Sequence, residues 1–295
     1  MRKEFIKVIE DIFEKNENVV LLLCDIGVYG FRNLKKKYPT RVINIGVLEQ
    51  STVSLAAGLA IDGNITFIHT IAPFLVERAF EQIKVDFGYN NLSVNLVSVG
   101  GSYDYSKLGA THHSPADVSL LNSIPNSKIF IPGNKKEFRY LLSKNFNNGN
   151  INYFRISETV NNFTKGIVVG KQQMIKNSKF KRLIICVGPI CDNVILACEN
   201  IEINILYLNE ITHLPISLIK KINPKKIIII EPYYSGPVLT NLINAKLCLL
   251  AKIYQIGVPL KFISKYGEKK QVDKFLKLDT ISLSKKIKKI LNKDE

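Results

Sequence analysis

The chain lacks any run of about 18 uncharged apolar residues, so no membrane span by a helix is indicated. It is also short of acid: 25 Asp and Glu stand against 41 Lys and Arg, a formal net charge of +16. Its five cysteines, Cys24, Cys186, Cys191, Cys198 and Cys248, show neither Cys-x-x-Cys spacing nor a framework pattern. They read as reduced, core or near-core thiols of a cytoplasmic protein. The N-terminus, Met1-Arg2-Lys3-Glu4-Phe5-Ile6-Lys7, carries charge throughout its apolar stretch, unlike a signal peptide.

The positive charge invites a nucleic-acid reading. The lysines, however, fall in short scattered runs, at Lys35-Lys36-Lys37, Lys220-Lys221, Lys225-Lys226 and Lys285-Lys286, with no aromatic-interleaved basic stripe. Joint richness in Lys, Asn and Ile is what coding bias toward A and T gives. The charge therefore reads as a solvated surface, and no nucleic-acid partner is expected. Part of it could still draw in a phosphorylated or nucleotide-linked substrate, or an acidic partner subunit.

What is present is core-forming material: 46% of 295 residues are hydrophobic, enough for one large or two ordinary domains. Residues 3–16 place Phe5, Ile6, Ile9, Ile12 and Phe13 at helical spacing. The continuous apolar run at 19–24 reads as a buried strand, and 41–45, 65–69, 93–99, 128–132 and 152–156 complete the strand set. Helices are expected over 51–61 and, uninterrupted, over 74–88, and a long loop over 100–115. A loop of that length in a compact domain is usually functional. Residues 157–181 look irregular, after which strands at 183–188, 203–208 and 226–231, a helix from Gly236-Pro237 and an amphipathic C-terminal helix form a second unit. Strands alternating with helices predict an α/β fold of two domains, each a mainly parallel sheet covered by helices. The expected division is a first domain over 1–160, a linker over 161–180 and a second domain over 181–295.

Glu49 stands out. It follows the apolar strand and turn Arg41 to Leu48 and opens the small-residue stretch Ser51 to Ala60. A buried carboxylate is costly unless paired or protonated, which makes it a candidate functional group; a solvated helix N-terminus is the alternative. Asp25, at the end of the first strand, lines a site or caps a turn. Phe74 starts a helix, where core packing is the plain reading. His69 ends a strand, His112 and His113 lie in the long loop, and His213 reads as structural.

Three segments carry a resemblance along nearly the whole chain. They are Asn44-Ile45-Gly46-Val47-Leu48-Glu49-Gln50, then Thr70-Ile71-Ala72-Pro73-Phe74-Leu75-Val76-Glu77-Arg78-Ala79, then Leu108-Gly109-Ala110-Thr111-His112-His113-Ser114-Pro115. In this order and spacing the chain resembles the C-terminal half of transketolase, the pyrimidine-binding domain followed by the transketolase C-terminal domain. That family uses thiamine diphosphate with Mg2+. The resemblance implies that Glu49 faces the aminopyrimidine ring and gives a proton to a ring nitrogen, which a carboxyl group held protonated by burial can do. It implies that Phe74 stacks on the pyrimidine, that Ile71 supplies an apolar wall where many members carry a second aromatic, and that Asp25 lies near the cofactor. It further implies substrate contacts for His112, His69 and His113, His112 moving a proton at a carbonyl or carbinol oxygen, and a substrate-phosphate contact for Arg155.

Departures from the family pattern matter too. Leu108 stands four positions before the loop histidine, where transketolase carries an acid that reads a donor hydroxyl. Segment 98–101 lacks the family's basic residue. No Gly-Asp-Gly motif is present, and Asp62-Gly63-Asn64 lacks its context. The oxygen ligands that hold the metal and diphosphate are therefore expected on a separate N-terminal-type transketolase subunit, in a split enzyme forming a heterotetramer with homodimer contacts. The segment around Glu231 resembles the family's Glu-containing turn and is assigned to assembly and packing.

The function so implied is transfer of a two-carbon unit from a ketose or 2-keto donor to an aldehyde or ketone acceptor. Its alternatives are pyruvate-decarboxylating transfer to a nucleotide-linked keto sugar in cell-surface sugar biosynthesis, and a 2-oxoacid dehydrogenase β-like subunit. A non-catalytic interaction protein retaining the fold is the alternative of a different class. Leu108 leans toward the pyruvate donor, Arg155 toward sugar phosphates.

Overall fold

The computed structural model describes residues 1–162, 168–247 and 251–292. Helix α1 (Arg2–Lys15) buries Phe5, Val8, Ile9, Ile12 and Phe13 on one stripe, the helical period read from the sequence. There follow β1 (Val19–Leu23), α2 (Arg32–Lys37), β2 (Val42–Asn44), α3 (Glu49–Ile61) and β3 (Ile65–Ile71). A π-helical segment (Pro73–Arg78), a short α4 (Phe80–Gln82) and a second π-helical segment (Ile83–Tyr89) lead to β4 (Val94–Val99). The 74–88 helix is thus not the uninterrupted one expected. Two 3-10 turns, Ser106–Leu108 and Ala110–His112, precede α5 (Asp117–Asn122), β5 (Ser127–Phe130), α6 (Lys135–Asn145) and β6 (Ile151–Ile156).

These six strands form one sheet in the order β2-β1-β3-β4-β6-β5, with every pairing parallel. All five residues of β1 are buried, as expected of a strand covered on both faces. The second sheet comprises β7 (Gln173–Lys176), β8 (Arg182–Val187), β9 (Asn204–Leu208), β10 (Lys226–Tyr234) and β11 (Lys252–Val258), in the order β11-β10-β8-β9-β7. It is parallel except at β7, which pairs antiparallel with β9. Strand β7 falls in the stretch expected to be irregular. Helices α7 (Cys191–Ala197), α8 (Ile216–Ile222), α9 (Pro237–Leu247), α10 (Lys269–Leu276) and α11 (Thr280–Leu291) cover this sheet.

The two sheets share one continuous apolar cluster, in which Ile129 and Ile131 meet Leu206, Leu208 and Ile211. Backbone bonds reinforce it: Ile131 donates to the Asn209 carbonyl at 2.7 Å and Ile211 to that of Ile129 at 3.1 Å. Glu137 of α6 is buried at this junction, accepting from the Gly133 N–H and the Tyr207 hydroxyl at 2.8 and 2.6 Å. Burial pushes its carboxyl above the usual range. Cys24, Cys186, Cys191 and Cys198 are buried free thiols, and Cys248 lies outside the described residues.

The loop after β4 is fastened from both sides. Ser102 and Ser114 bridge each other, and the Ser102 hydroxyl donates to the Pro232 carbonyl beyond β10's buried core run. The Tyr234 N–H reaches the Pro115 carbonyl at 3.0 Å and the Ser106 hydroxyl that of Gly267 at 2.7 Å. Gly100 sits at φ +76°, and a Cβ there would collide with the Tyr105 ring, so only glycine fits the turn. Elements of the second sheet therefore fix the loop that carries His112.

Candidate active site

In a parallel sheet every carboxyl end lies on one side, and a crevice opens where the strand order reverses. Here the chain runs from β1 outward to β2 and returns past β1 to β3, so the reversal lies at β1 and β3. Asp25 follows β1, Glu49 follows β2, Phe74 follows β3 and His112 follows β4. The turn from β2 to α3 uses Gly46 at φ +87°, a conformation glycine adopts without strain.

Glu49 is the first residue of α3 and only 2% exposed. A carboxylate at a helix N-terminus is favoured by the helix dipole. Its burial is offset by a cation: the Arg78 Nη1 donates to Glu49 Oε2 at 2.7 Å. Of the two ways to bury the acid, pairing or protonation, the structure shows pairing. The Arg78 guanidinium also lies over the Phe74 ring, 4.3 Å from its centroid. Phe74 in turn meets the His112 ring at 5.1 Å, edge to face at 75°. The Thr111 hydroxyl sits 2.9 Å from His112 Nδ1, which orients the imidazole. Glu49, Arg78, Phe74 and His112 are thus one contiguous group.

The π winding of Pro73–Arg78 shapes this group. Pro73 begins the segment, where its missing N–H costs no bond. Closing i to i+5, a π turn is wider than an α turn, and such turns recur at functional sites. Phe74 and Arg78, four apart, consequently stack on each other. Arg78 is not among the site residues expected from the sequence. Its spacing from Phe74 was the available signal, but its partner Glu49 lies 29 positions away.

The remaining expected residues are placed elsewhere. His69 is buried against Phe5, ring centroids 4.9 Å apart, on the α1 side of the sheet. Its Nδ1 lies 2.7 Å from the Val97 carbonyl, so that nitrogen donates. Burial pulls its pKa down to about 4, so it is neutral at physiological pH. It lines a trough of about 1050 Å³ shared with Arg2, Lys3, Asp25, Tyr29 and Arg32. Ile71 packs in the same α1-side cluster, with Phe5 and Phe31. Asp25 is exposed at φ +56° and exchanges two bonds with Asn44, accepting at 2.7 Å and donating its N–H at 3.0 Å. That pairing ties the tips of β1 and β2 together.

His113 turns away from His112 and packs on Tyr103, ring centroids 4.6 Å apart. Burial lowers its pKa. Arg155, expected to contact a substrate phosphate, is bonded within the fold. It is 2% exposed, its Nε donates to Asp117 Oδ2 at 2.6 Å and its Nη2 to the Ser102 hydroxyl at 2.6 Å. A guanidinium enclosed and neutralised in this way is committed to the fold. Leu108 is 55% exposed at the end of its 3-10 turn, presenting an apolar side chain where the family's hydroxyl-reading acid stands. Among the described residues no group of three or more His, Cys, Asp and Glu converges as metal ligands. No described helix is long and apolar enough to cross a membrane.

Glu231, at the turn assigned to packing, is buried, with the Gly236 N–H 3.4 Å from its Oε1. Burial pushes its carboxyl from 4.5 up to about 7. The fold thus favours its protonated form, a contribution complete below pH 4.5 and lost as pH rises through about 7. Glu231→Gln, which does not titrate, should gain on the native chain across that window by about 1.4 kcal/mol per pH unit, to about 3 kcal/mol. Urea unfolding of both proteins at pH 5, 6, 7 and 8 checks it; a difference independent of pH would contradict the assignment.

The chain matches the transketolase, pyrimidine binding domain family over residues 1–162. It is 30% identical over 283 residues to an uncharacterised 33.6 kDa protein of the fasciation locus of Rhodococcoides fascians, covering 94% of this chain and 90% of that one. It is 41% identical over 107 residues to one subunit of the apulose-4-phosphate transketolase of Actinobacillus succinogenes, a match over 36% of this chain and only 34% of that protein. Among solved structures, a split gene transketolase described as an inactive beta4 tetramer aligns at TM-score 0.83 with 20% identity, covering 98% of this chain and 97% of that one. Transketolase of Campylobacter jejuni aligns at 0.78 with 15% identity, over 97% of this chain but 46% of its own. At those identities the structures speak to the fold alone.

Proposed function

Because this chain belongs to the transketolase family through its pyrimidine-binding domain, we propose that it is one subunit of a split, thiamine diphosphate-dependent enzyme that moves a two-carbon unit between carbonyl compounds. The observation that carries the reading is the buried Glu49 carboxylate at the head of α3, in one group with Phe74 and His112. Unlike the buried acids Asp117 and Glu137, whose partners lie inside the fold, Glu49 is paired with a cation that is 42% exposed and is grouped with an aromatic ring and an imidazole.

The residues present fit the pyrimidine half of the cofactor: an enclosed carboxylate beside an aromatic ring of which one face is covered by a half-exposed cation. Thiamine diphosphate, when bound, supplies the carbon nucleophile that carries the two-carbon unit. Glu49 would hold a proton at its carboxyl oxygen against the ring nitrogen, once Arg78 no longer bonds it. Phe74 would offer its face. His112 would move a proton at a substrate oxygen through its Nε2, the nitrogen that Thr111 does not hold. The metal and diphosphate are assigned to a partner subunit in a heterotetramer, in the cytoplasm. Relatives that are themselves named as single subunits of a transketolase support the split arrangement. So do exposed Val47 and Leu48, 59% and 56% accessible beside Glu49, which a partner would cover. The first domain is proposed to end near residue 160, with a connection shorter than 161–180 because β7 starts at Gln173.

The ion pair of Arg155 with Asp117 weakens the argument for phosphorylated sugars, and exposed Leu108 offers no group to read a donor hydroxyl. A 2-oxo acid donor such as pyruvate, with a keto sugar acceptor, is therefore the second reading kept. Co-expression with a transketolase-like chain carrying Gly-Asp-Gly, followed by turnover with ketose phosphate and with pyruvate as donors, tests both. No turnover with either donor in an assembled complex would overturn the enzymatic reading.

A further inference from the structure

We propose that Arg78 is a placeholder: in the free chain its guanidinium fills the place of the aminopyrimidine, and the cofactor binds by displacing it. The inference rests on the roles given above to Glu49 and Phe74. One side chain engages both. Arg78 Nη1 bonds Glu49 Oε2 at 2.7 Å while the guanidinium carbon lies 4.3 Å from the Phe74 centroid. A guanidinium and an aminopyrimidine that has taken the proton of Glu49 share the chemistry this demands, a flat cation that points an N–H edge-on at the carboxylate and stacks on an aromatic face.

The two ends of the pair are not equally free to move. The Glu49 side chain is 1% exposed and the Arg78 side chain 42%. Glu49 must keep a partner in either state, because an unpaired buried carboxylate is costly. Arg78 has a long stem and open solvent beside it, so it can leave without disturbing the core. Cofactor binding is then an exchange of partners at Glu49. The affinity of the free chain is reduced by the fraction of time Arg78 is out of place.

Thiamine, which carries the aminopyrimidine without the diphosphate, is the probe. Calorimetric titration of thiamine into the free chain and into Arg78→Met should show tightening of about tenfold or more in the variant, as expected when a competent form populated at a tenth or less becomes the only form. Methylguanidinium should compete with thiamine in Arg78→Met by refilling the vacated place. A purely structural role for Arg78 would give neither effect. Arg78→Met binding thiamine no more tightly than the native chain, or binding it without competition by methylguanidinium, overturns the proposal. If Arg78→Met fails to fold, Arg78→Lys keeps a cation for Glu49 but loses the planar stack. It should show a smaller gain, and its absence overturns the proposal equally. Turnover of Glu49→Gln in the assembled enzyme separates the cases: if that variant is inactive, only the placeholder falls, and if it is active, the underlying reading falls.

Discussion

Glu49→Gln is expected to lower turnover of the assembled enzyme by about 10²–10⁴-fold, the span a positioned proton-transfer group supplies. The amide keeps the carboxylate's shape and can still accept from Arg78, so α3 should start as before and the fold should hold. What is lost is an acid that can give and retake a proton at a ring nitrogen. The effect should therefore fall on kcat for every donor and acceptor alike, rather than on the KM of one substrate. Near-native turnover in a well-folded Glu49→Gln complex would remove Glu49 from the chemistry.

Asp117→Ala is expected to cost about 3–5 kcal/mol of stability, because it strands a buried guanidinium. Asp117 is fully buried and accepts from Arg155 Nε at 2.6 Å, the Tyr153 hydroxyl at 2.7 Å and the Val118 N–H at 2.9 Å. Gly101 packs directly on the cation, which is 2% exposed; a Cβ there would come 2.5 Å from the Arg155 Cζ. The network continues through Ser102 to the Pro232 carbonyl, so its loss should also loosen the His112 loop from the second sheet. Replacing both charges, as Asp117→Leu with Arg155→Leu, should recover much of the loss, since an apolar pair carries no desolvation cost. Urea midpoints of the single and double variants measure this. An Arg155→Leu chain that keeps its stability but loses affinity for a phosphorylated substrate would assign Arg155 to substrate rather than to the fold.

Much of the fold was legible because the strands of a covered parallel sheet are continuous apolar runs. Val19–Leu23 and Ile227–Ile230 could be read directly. Strand β7 could not: the four residues Gln-Met-Ile-Lys at an antiparallel edge neither alternate nor form an apolar run. The π winding of Pro73–Arg78 and Ile83–Tyr89 was equally hidden, since its apolar residues also satisfy an α period. In the site, Glu49, Phe74 and His112 were found by their sequence context. Arg78 and Asp117 were not, because their meaning depends on partners 29 and 38 positions away. The same distance hid the partner of Arg155, whose charge is answered by Asp117 inside the fold. His112 and His113, adjacent in sequence, part at the turn, which sends the first to Phe74 and the second to Tyr103.

The central claim is that this chain holds the pyrimidine half of a shared site. It is tested most directly by titrating thiamine diphosphate with Mg2+ into the purified chain, into the Gly-Asp-Gly partner and into their mixture. Tight binding confined to the mixture, with weak binding by this chain alone, is the predicted result. Binding by this chain alone as tight as by the mixture would contradict it.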